Sequence, residues 1–170
     1  MGTIHLILID DFLNDDEWDI FNSEVVWGEK ISNNFVPVDE LGMRGLFVEE
    51  IVLKIWNTFS LDHKDNMQYY EYWTNFLSPD EPLDWHIDKD EVMYEESQQL
   101  SKPAYGAVLY PDHKVSGGFL EIEHSKGEVE RIAPMPNRLV LFHAGDKYHR
   151  VSPIHYGQRM TLATNLWGKL

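Results

Sequence analysis

The sequence predicts a mainly β protein, a β-sandwich or jelly roll whose N-terminal helices pack against one sheet. From about residue 67 onward, short runs of β-forming residues alternate with turn residues. Residues 12–65 instead show the apolar spacing of three and four that is typical of helices. The length of 170 residues is that of one domain with a sizeable core. We therefore expect a single domain over residues 1–170, with helical support at about 12–65 and a β core at about 67–168.

The N-terminal part begins with an apolar stretch at residues 1–10, which predicts a first strand and lacks the basic segment of a signal peptide. The residues from Asn14 to Glu17 resemble a capping box, so a helix is expected to begin there. Its apolar face continues with Trp18, Phe21 and Val25. A second helix is predicted over residues 38–60, because apolar residues recur at every fourth position: Phe47, Ile51, Ile55 and Phe59. Both apolar stripes are expected to pack into the core.

The β core is expected to contain six to eight short strands. The runs that predict strands are residues 68–77, 104–110, 119–124, 138–143, 149–153 and 159–167. Clusters of Pro, Gly, Asn, Asp and Ser separate them and predict turns. Short strands at this spacing are typical of a sandwich or jelly roll.

Composition excludes several classes of protein. There are 29 acidic and 14 basic residues, a net charge of −15, which makes a nucleic acid an unfavourable partner. The excess of acid fits either solubility or the attraction of a cationic substrate. Disulfides, zinc–thiolate sites and iron–sulfur clusters are excluded because the chain has no cysteine. No run approaches the roughly 18 apolar residues of a membrane span. We therefore expect a cytoplasmic protein that does not bind membranes.

Two His-x-Asp triplets are candidates for a metal site, one beginning at His63 and one at His86. In a strand, residues two apart point to the same side. The apolar Trp85 and Ile87 alternate with His86 and Asp88, so both polar side chains are predicted to share one face. The triplet at His63 is uniformly polar and is interpreted as a solvated turn.

A third metal ligand is predicted at His149, which begins a new run of β-formers. His143 competes for this role, but it ends an apolar strand and is interpreted as a core or rim residue. Two histidines and one carboxylate form the set found in non-heme Fe(II) oxygenases, which leaves other metal positions open. The sequence therefore predicts His86, Asp88 and His149 as metal ligands.

Arg159 is a candidate anion-binding residue. In a strand over residues 159–166 it shares one face with Thr161, Ala163 and Asn165, and the opposite face is expected to pack on the helices. A guanidinium that points into the core requires a partner. A carboxylate that binds in bidentate fashion is its natural partner, and the Thr161 hydroxyl is placed to add a donor.

In this order and spacing, six segments of the chain resemble the Fe(II)/2-oxoglutarate-dependent dioxygenase superfamily, in its prolyl 4-hydroxylase-like branch. They are His86-Ile87-Asp88, Val108-Leu109-Tyr110, residues 116–120, residues 138–142, His149-Arg150-Val151 and Arg159-Met160-Thr161. The resemblance runs from about Tyr70 to Trp167. It implies a double-stranded β-helix that holds iron at its open end through His86, Asp88 and His149.

The same resemblance assigns residues to the co-substrate. It implies that Arg159 binds the far carboxylate of 2-oxoglutarate, that Tyr110 hydrogen-bonds the same carboxylate, and that Thr161 matches a small hydroxyl residue common at its position. A tyrosine that is common about ten residues before the first ligand has no match. Phe76 stands there, with Asn75 and Tyr72 as alternatives.

The resemblance implies a hydroxylase that uses Fe(II), 2-oxoglutarate and O₂, releases succinate and CO₂, and accepts ascorbate as an accessory reductant. A prolyl residue in a peptide or protein is the first candidate substrate, and free amino acids and small metabolites stay open. The alternative is a non-catalytic, cupin-like metal-binding module, against which the presence of Arg159 argues. The acidic residues 89–96 are predicted to form a loop at the rim of the site.

Overall fold

The computed structural model describes residues 6–59, 61, 66–81, 83–125 and 127–168, which contain four helices and twelve strands. The helices are α1 (Asp15–Phe21), α2 (Glu24–Trp27), α3 (Phe47–Thr58) and α4 (Glu91–Ser97). The first six strands are β1 (Leu6–Ile9), β2 (Asn34–Pro37), β3 (Tyr69–Leu77), β4 (Leu83–His86), β5 (Tyr105–Leu109) and β6 (Val115–Gly117). The last six are β7 (Leu120–Ser125), β8 (Glu128–Ile132), β9 (Leu139–Phe142), β10 (His149–Val151), β11 (Ile154–Gly157) and β12 (Arg159–Trp167).

The strands form two larger antiparallel sheets and a two-stranded ribbon. The six-stranded sheet has the order β1-β9-β5-β12-β3-β2, the four-stranded sheet β4-β10-β7-β8, and the ribbon β11-β6. A buried apolar cluster joins the two larger sheets and includes Ile122, Ile132 and Phe142. The predicted mainly β architecture is thus confirmed. Among the described helices, none is long and apolar enough to cross a membrane.

Strand β12 is an interior strand of the six-stranded sheet. The helical side of the core lies on one side of it and a cavity on the other. It pairs with β3 from Arg159 to Trp167 and with β5 from Leu162 to Leu166. Its outer face packs on α3, where the Trp56 Nε1 donates to the Thr164 Oγ1 at 3.0 Å. Its inner face carries Arg159, Thr161, Ala163 and Asn165, which line a cavity. The predicted division of this strand into two faces is confirmed, because side chains alternate along it.

The first helix begins as predicted but ends at Phe21, which is buried. Val25, which was expected on its apolar face, lies in α2 and is 70% exposed. The Asn14 side chain accepts from the Glu17 backbone N–H at 2.9 Å, and the Glu17 carboxylate accepts from the Asn14 N–H at 3.0 Å, a complete capping box.

The helix predicted over residues 38–60 is shorter. Residues 38–44 form turns, residues 45–46 are irregular, and α3 covers only Phe47–Thr58. Gly42 and Gly45 adopt φ values of +85° and +66°, a left-handed conformation that interrupts an α-helix. The apolar stripe lies where it was predicted, since Ile51 and Ile55 are buried against the six-stranded sheet.

The β-forming runs of the sequence correspond to β1, β3, β5, β7, β9, β10 and β12, and the strand predicted around His86 corresponds to β4. The described residues contain twelve strands rather than the six to eight expected. Strands β2, β6, β8 and β11 were not predicted. In β8 only Ile132 is buried, so the strand lacks the apolar alternation that would reveal it. Residues 1–5 of the predicted first strand lie outside the described residues.

Replacing Ile55 with alanine is expected to lower the free energy of unfolding by about 2–5 kcal/mol. Ile55 is fully buried between α3 and the six-stranded sheet, so the truncation leaves a cavity. Urea denaturation measures the change. The matched control is Val25→Ala, because Val25 is 70% exposed and its truncation is expected to stay within about 0.5 kcal/mol of wild type. Equal effects of the two substitutions would contradict the assigned core.

Candidate active site

A cavity opens between the six-stranded and four-stranded sheets and encloses about 470 Å³, its open mouth included. The predicted metal ligands and the inner face of β12 both contribute to its wall. Among the lining side chains are His86, Asp88, His149, Arg159, Thr161 and Asn165. The polar residues that the sequence places far apart therefore face one space.

Three potential metal ligands converge at one end of this cavity. His86 ends β4 and His149 begins β10, and the two residues pair directly across the strands, so their ring centroids lie 4.3 Å apart. The Asp88 Oδ1 is 3.7 Å from the His86 Nε2 and 3.5 Å from the His149 Nε2. The three donor atoms all lie within 4.8 Å of one another. This is a 2-His-1-carboxylate arrangement that could hold a metal ion.

The strand geometry predicted for the His86 triplet is only partly correct. Strand β4 ends at His86, and Asp88 lies two residues beyond it. The backbone N–H of Asp88 instead donates to the Ala144 carbonyl at 2.9 Å. This bond to the chain after β9, rather than alternation along a strand, holds Asp88 beside the two histidines.

Backbone carbonyl groups orient both imidazole rings. The Nδ1 of His86 lies 2.6 Å from the Asp84 carbonyl, and the Nδ1 of His149 lies 2.9 Å from the Lys147 carbonyl. Since a carbonyl oxygen can only accept, each Nδ1 carries a proton, so in the neutral imidazole it is the Nε2 that has the free lone pair. The Nε2 atoms are those that face Asp88, so the rings present their free nitrogens for a metal.

The protonation states also suit a divalent metal. Burial lowers the pKa of His86, and the nearby His149 lowers it further. Burial alone would raise the pKa of Asp88, but the neighbouring His149 and the Asn165 amide outweigh burial and hold that pKa below its usual 3.8. At neutral pH the His86 imidazole is neutral and Asp88 is a carboxylate, as metal binding requires.

A buried guanidinium lies in the same cavity. Arg159 is 2% exposed, its Nε donates to the Gly118 carbonyl at 2.8 Å, and its Nη2 donates to the Tyr110 hydroxyl at 2.9 Å. A Cβ on Gly118 would lie 3.1 Å from the Arg159 Cδ, and Gly118 has a φ of +66°. Glycine is therefore needed at position 118 for the arginine to pack there.

The Arg159 end of the cavity lacks the negative charge that a buried cation requires. Within the described part of the chain, no carboxylate forms an ion pair with Arg159, and the buried Thr161 Oγ1 has no hydrogen-bond partner. Unpaired buried polar groups are costly unless a ligand satisfies them. A dicarboxylate bound in the cavity would supply both missing partners, so the residues present fit 2-oxoglutarate.

Comparison with known proteins agrees with this geometry. Residues 67–167 match the family model of the 2OG-Fe(II) oxygenase superfamily. The chain belongs to the 2OG-Fe(II) oxygenase superfamily. It is a 2-oxoglutarate-dependent dioxygenase that uses Fe(II), 2-oxoglutarate and O₂. A search of curated protein sequences finds no significant match.

Several solved structures share the fold of this oxygenase. A prolyl-4-hydroxylase from Pseudomonas putida has 16% identity and a TM-score of 0.69 over 97% of this chain and 93% of its own. A prolyl hydroxylase from Trichoplax adhaerens has 15% identity and a TM-score of 0.65 over 98% of this chain and 84% of its own. HygX from Streptomyces hygroscopicus has 12% identity and a TM-score of 0.65 over 97% of this chain and 82% of its own. The predicted jelly-roll fold is thereby confirmed.

Of the three residues considered for the position of the missing tyrosine, one lies at the cavity. Asn75 lines it, directly across the strand pair from Thr161. The Tyr72 hydroxyl instead donates to the buried Glu49 Oε1 at 2.9 Å on the helical side of the sheet. Phe76 packs its ring against Trp27, with centroids 5.7 Å apart.

The other sequence candidates lie elsewhere. His143 stands outside the metal group, since its Nδ1 bonds the Ala104 carbonyl at 3.0 Å and its ring packs on Tyr105. This agrees with its interpretation as a core or rim residue. The competing triplet at residues 63–65 lies outside the described residues.

Most of the acidic segment 89–96 is helical rather than the predicted loop, because α4 covers Glu91–Ser97. The Asp90 side chain accepts from the Met93 N–H at 2.9 Å and caps α4, a start signal that the sequence contains and that our prediction did not use. The negative charge of Glu91 raises the pKa of His86 against the effect of burial. Helix α4 begins at Glu91, three residues after Asp88 in the sequence.

Proposed function

We propose that this oxygenase hydroxylates a prolyl residue in a peptide or protein, with release of succinate and CO₂. In this proposal His86, Asp88 and His149 bind Fe(II), and Arg159, Tyr110 and Thr161 bind 2-oxoglutarate. The convergence of a 2-His-1-carboxylate group and an unpaired buried arginine in one cavity is the observation that carries it. The choice of substrate is supported by the prolyl hydroxylases among the structural relatives, one of them in complex with a peptide.

The proposed co-substrate contacts follow from the hydrogen bonds of Arg159. The Gly118 carbonyl and the Tyr110 hydroxyl fix the plane of the guanidinium. Its Nη1 has no partner among the described residues, so it is free to donate to a carboxylate. A charge-assisted bond of this kind is stronger than one between neutral groups. The Tyr110 and Thr161 hydroxyls are expected to donate to the same carboxylate.

We add Asn75 to the proposed 2-oxoglutarate site. Its side-chain amide has no hydrogen-bond partner among the described residues, and it faces the cavity opposite Thr161. An amide can both donate and accept. It can therefore satisfy a carboxylate or keto oxygen where a tyrosine hydroxyl would otherwise serve.

The protein's part in the reaction is to bind, orient and exclude water. Bound Fe(II) would supply the oxidative decarboxylation of 2-oxoglutarate and the hydroxylation that is coupled to it. The backbone carbonyls of Asp84 and Lys147 fix the two ligand rings. Apolar side chains complete the wall of the cavity and keep water from it: Val108, Leu120, Phe142 and Val151.

The test incubates the purified protein with Fe(II), 2-oxoglutarate and a set of proline-containing peptides. Succinate is followed by NMR, and a mass gain of one oxygen on proline is followed by mass spectrometry. We expect both products, in equal amounts. Succinate formed only with free amino acids or small metabolites would refute the prolyl substrate and leave the oxygenase intact. Metal binding without turnover on any substrate would favour the non-catalytic, cupin-like module.

Replacing Thr161 with valine is expected to weaken 2-oxoglutarate binding about 10- to 150-fold, the equivalent of roughly 1.5–3 kcal/mol for a hydrogen bond to a charged group. Valine keeps the shape but removes a hydroxyl that has no partner in the protein, so the unfolding free energy should not fall. Titration with 2-oxoglutarate in the presence of Mn(II) measures the affinity.

The matched control is Thr164→Val, because Thr164 is buried on the opposite face of the same strand and accepts from Trp56. This variant should lose stability and keep its 2-oxoglutarate affinity. An unchanged affinity in Thr161→Val would remove Thr161 from the proposed site.

A further inference from the structure

The side-chain amide of Asn165 lies between two carboxylates on the inner face of the six-stranded sheet. Its Nδ2 donates to the Asp88 Oδ2 at 3.0 Å and to the Glu71 Oε2 at 3.2 Å. The amide nitrogen has two hydrogens, so it can serve both carboxylates at once. Asn165 is 3% exposed, and water therefore does not compete for these bonds.

Packing fixes the position of this amide, and charge fixes its orientation. A Cβ on Gly106 would lie 2.7 Å from the Asn165 Oδ1 and 2.5 Å from the Ala144 Cβ, so the amide oxygen occupies space that only a glycine leaves open. Turning the amide over would place its oxygen against the ionised Asp88. Electrostatics therefore favours the orientation with Nδ2 toward both carboxylates.

Glu71 holds the amide from the side away from Asp88. Its Oε2 also accepts from the Trp167 Nε1 at 2.9 Å, and its Oε1 accepts from the Asn33 Nδ2 at 2.8 Å. Glu71 is 5% exposed, and these three donors satisfy a carboxylate that forms no ion pair with a cation among the described residues. The hydrogen bonds that run from Asn33 through Glu71 to Asn165 thus end at the Asp88 Oδ2, one oxygen of a proposed metal ligand.

The two oxygens of Asp88 consequently have different surroundings. Oδ2 is occupied by the Asn165 amide, whereas Oδ1 faces the Nε2 atoms of His86 and His149 at 3.7 and 3.5 Å. We propose that Asn165, anchored by Glu71, is a positioning residue that keeps Asp88 a one-oxygen ligand and so leaves the opposite metal positions open for co-substrates. This inference rests on the proposed metal site.

The test compares wild type with Asn165→Leu, which is close in shape to asparagine but has no donor. Mn(II) affinity is measured by electron paramagnetic resonance titration, and the Co(II)-loaded protein is examined by visible absorption. We expect Asn165→Leu to bind Mn(II) about 10- to 100-fold more weakly and to change the Co(II) spectrum, because the released Oδ2 can then reach the metal. Thr164→Val is the matched control, buried on the opposite face of β12, and should keep both properties.

Two further variants separate positioning from folding. Asn165→Ala cannot crowd Gly106 and should shift affinity and spectrum in the same direction even if the leucine variant fails to fold. Glu71→Gln keeps an oxygen that can accept from Asn165 and Trp167, so its Mn(II) affinity should stay within about threefold of wild type, a change well under 1 kcal/mol.

Different results would overturn different parts of the proposal. Wild-type affinity and spectrum in a folded Asn165→Leu or Asn165→Ala protein would overturn the inference and leave the metal site in place. Failure of the wild-type protein to bind Mn(II) and Co(II) would overturn the proposed metal site itself. A loss in Thr164→Val as large as that in Asn165→Leu would show that general destabilisation, rather than positioning, controls affinity.

Discussion

Replacing His86 with alanine is expected to abolish metal binding at micromolar concentrations and, with it, all oxygenase turnover. The substitution leaves Asp88 and His149 with two ligand atoms where three converge within 4.8 Å. Three protein ligands on one side of the metal define this class of site. Two ligands alone release the metal when the protein is diluted. Metal content after gel filtration and succinate release with Fe(II) measure the two effects.

The control for this prediction is His63→Ala, the equivalent change in the competing His-x-Asp triplet. It should retain metal and turnover at wild-type levels. Thermal unfolding without metal shows whether either variant is folded. Loss of metal in His63→Ala, with retention in His86→Ala, would show that the triplet at His63 binds the metal. The proposed site at His86 would then be wrong.

Replacing Arg159 with methionine is expected to raise the 2-oxoglutarate requirement by about 30-fold to several thousand-fold. This range corresponds to roughly 2–5 kcal/mol for removing one partner of a buried, hydrogen-bonded charge pair. Methionine fills much of the same volume but offers no donor to a carboxylate. The dissociation constant for 2-oxoglutarate in the presence of Mn(II), together with the apparent KM for 2-oxoglutarate, measures the loss.

The same substitution should leave the ligand-free protein at least as stable as wild type. Arg159 is 2% exposed and forms no ion pair with a described carboxylate, so in the free protein its burial is unfavourable. Methionine removes this uncompensated desolvation cost from the ligand-free protein. Wild type alone should gain thermal stability when 2-oxoglutarate is added.

Arg150→Met is the matched control for this arginine. Arg150 lies on the four-stranded sheet, where its Nε donates to the Glu121 carboxylate at 2.7 Å and its guanidinium lies over the Trp85 ring. The variant should lose a little stability and keep its 2-oxoglutarate affinity. Equal losses of affinity in the two variants would show that Arg159 has no special role in binding the co-substrate.

The residues of the candidate site could be selected from the sequence because local rules apply to them. Alternation along residues 159–166 placed Arg159 and Thr161 on one face, and the structure has them on one cavity wall. The same rule preferred the triplet at His86. Its prediction that Asp88 continues the strand was wrong, because a backbone bond to Ala144, which no local pattern encodes, positions that residue.

Secondary structure was predicted where apolar periodicity is strong and missed where it is weak. The buried stripe of α3 and the apolar β9 were visible in the sequence, whereas the exposed β8 and the short β2, β6 and β11 were not. The second helix was predicted to begin at residue 38, but Gly42 and Gly45 turn the backbone before α3 begins at Phe47. Local periodicity reports which side chains are buried, and it fails where tertiary pairing alone makes a strand.

The sequence by itself determined the chemistry of this oxygenase: which imidazoles, carboxylate and guanidinium are available, and which of them share a face. Only the tertiary structure decided how they are held. The bond from Asn165 to Glu71 joins residues 94 positions apart and exists because β12 pairs with β3 in one register. The bond from Asn165 to Asp88 joins residues 77 positions apart and depends on the backbone bond that holds Asp88 at Ala144. Strand partners and register depend on the packing of the whole sheet, so a reading of local spacing cannot supply them.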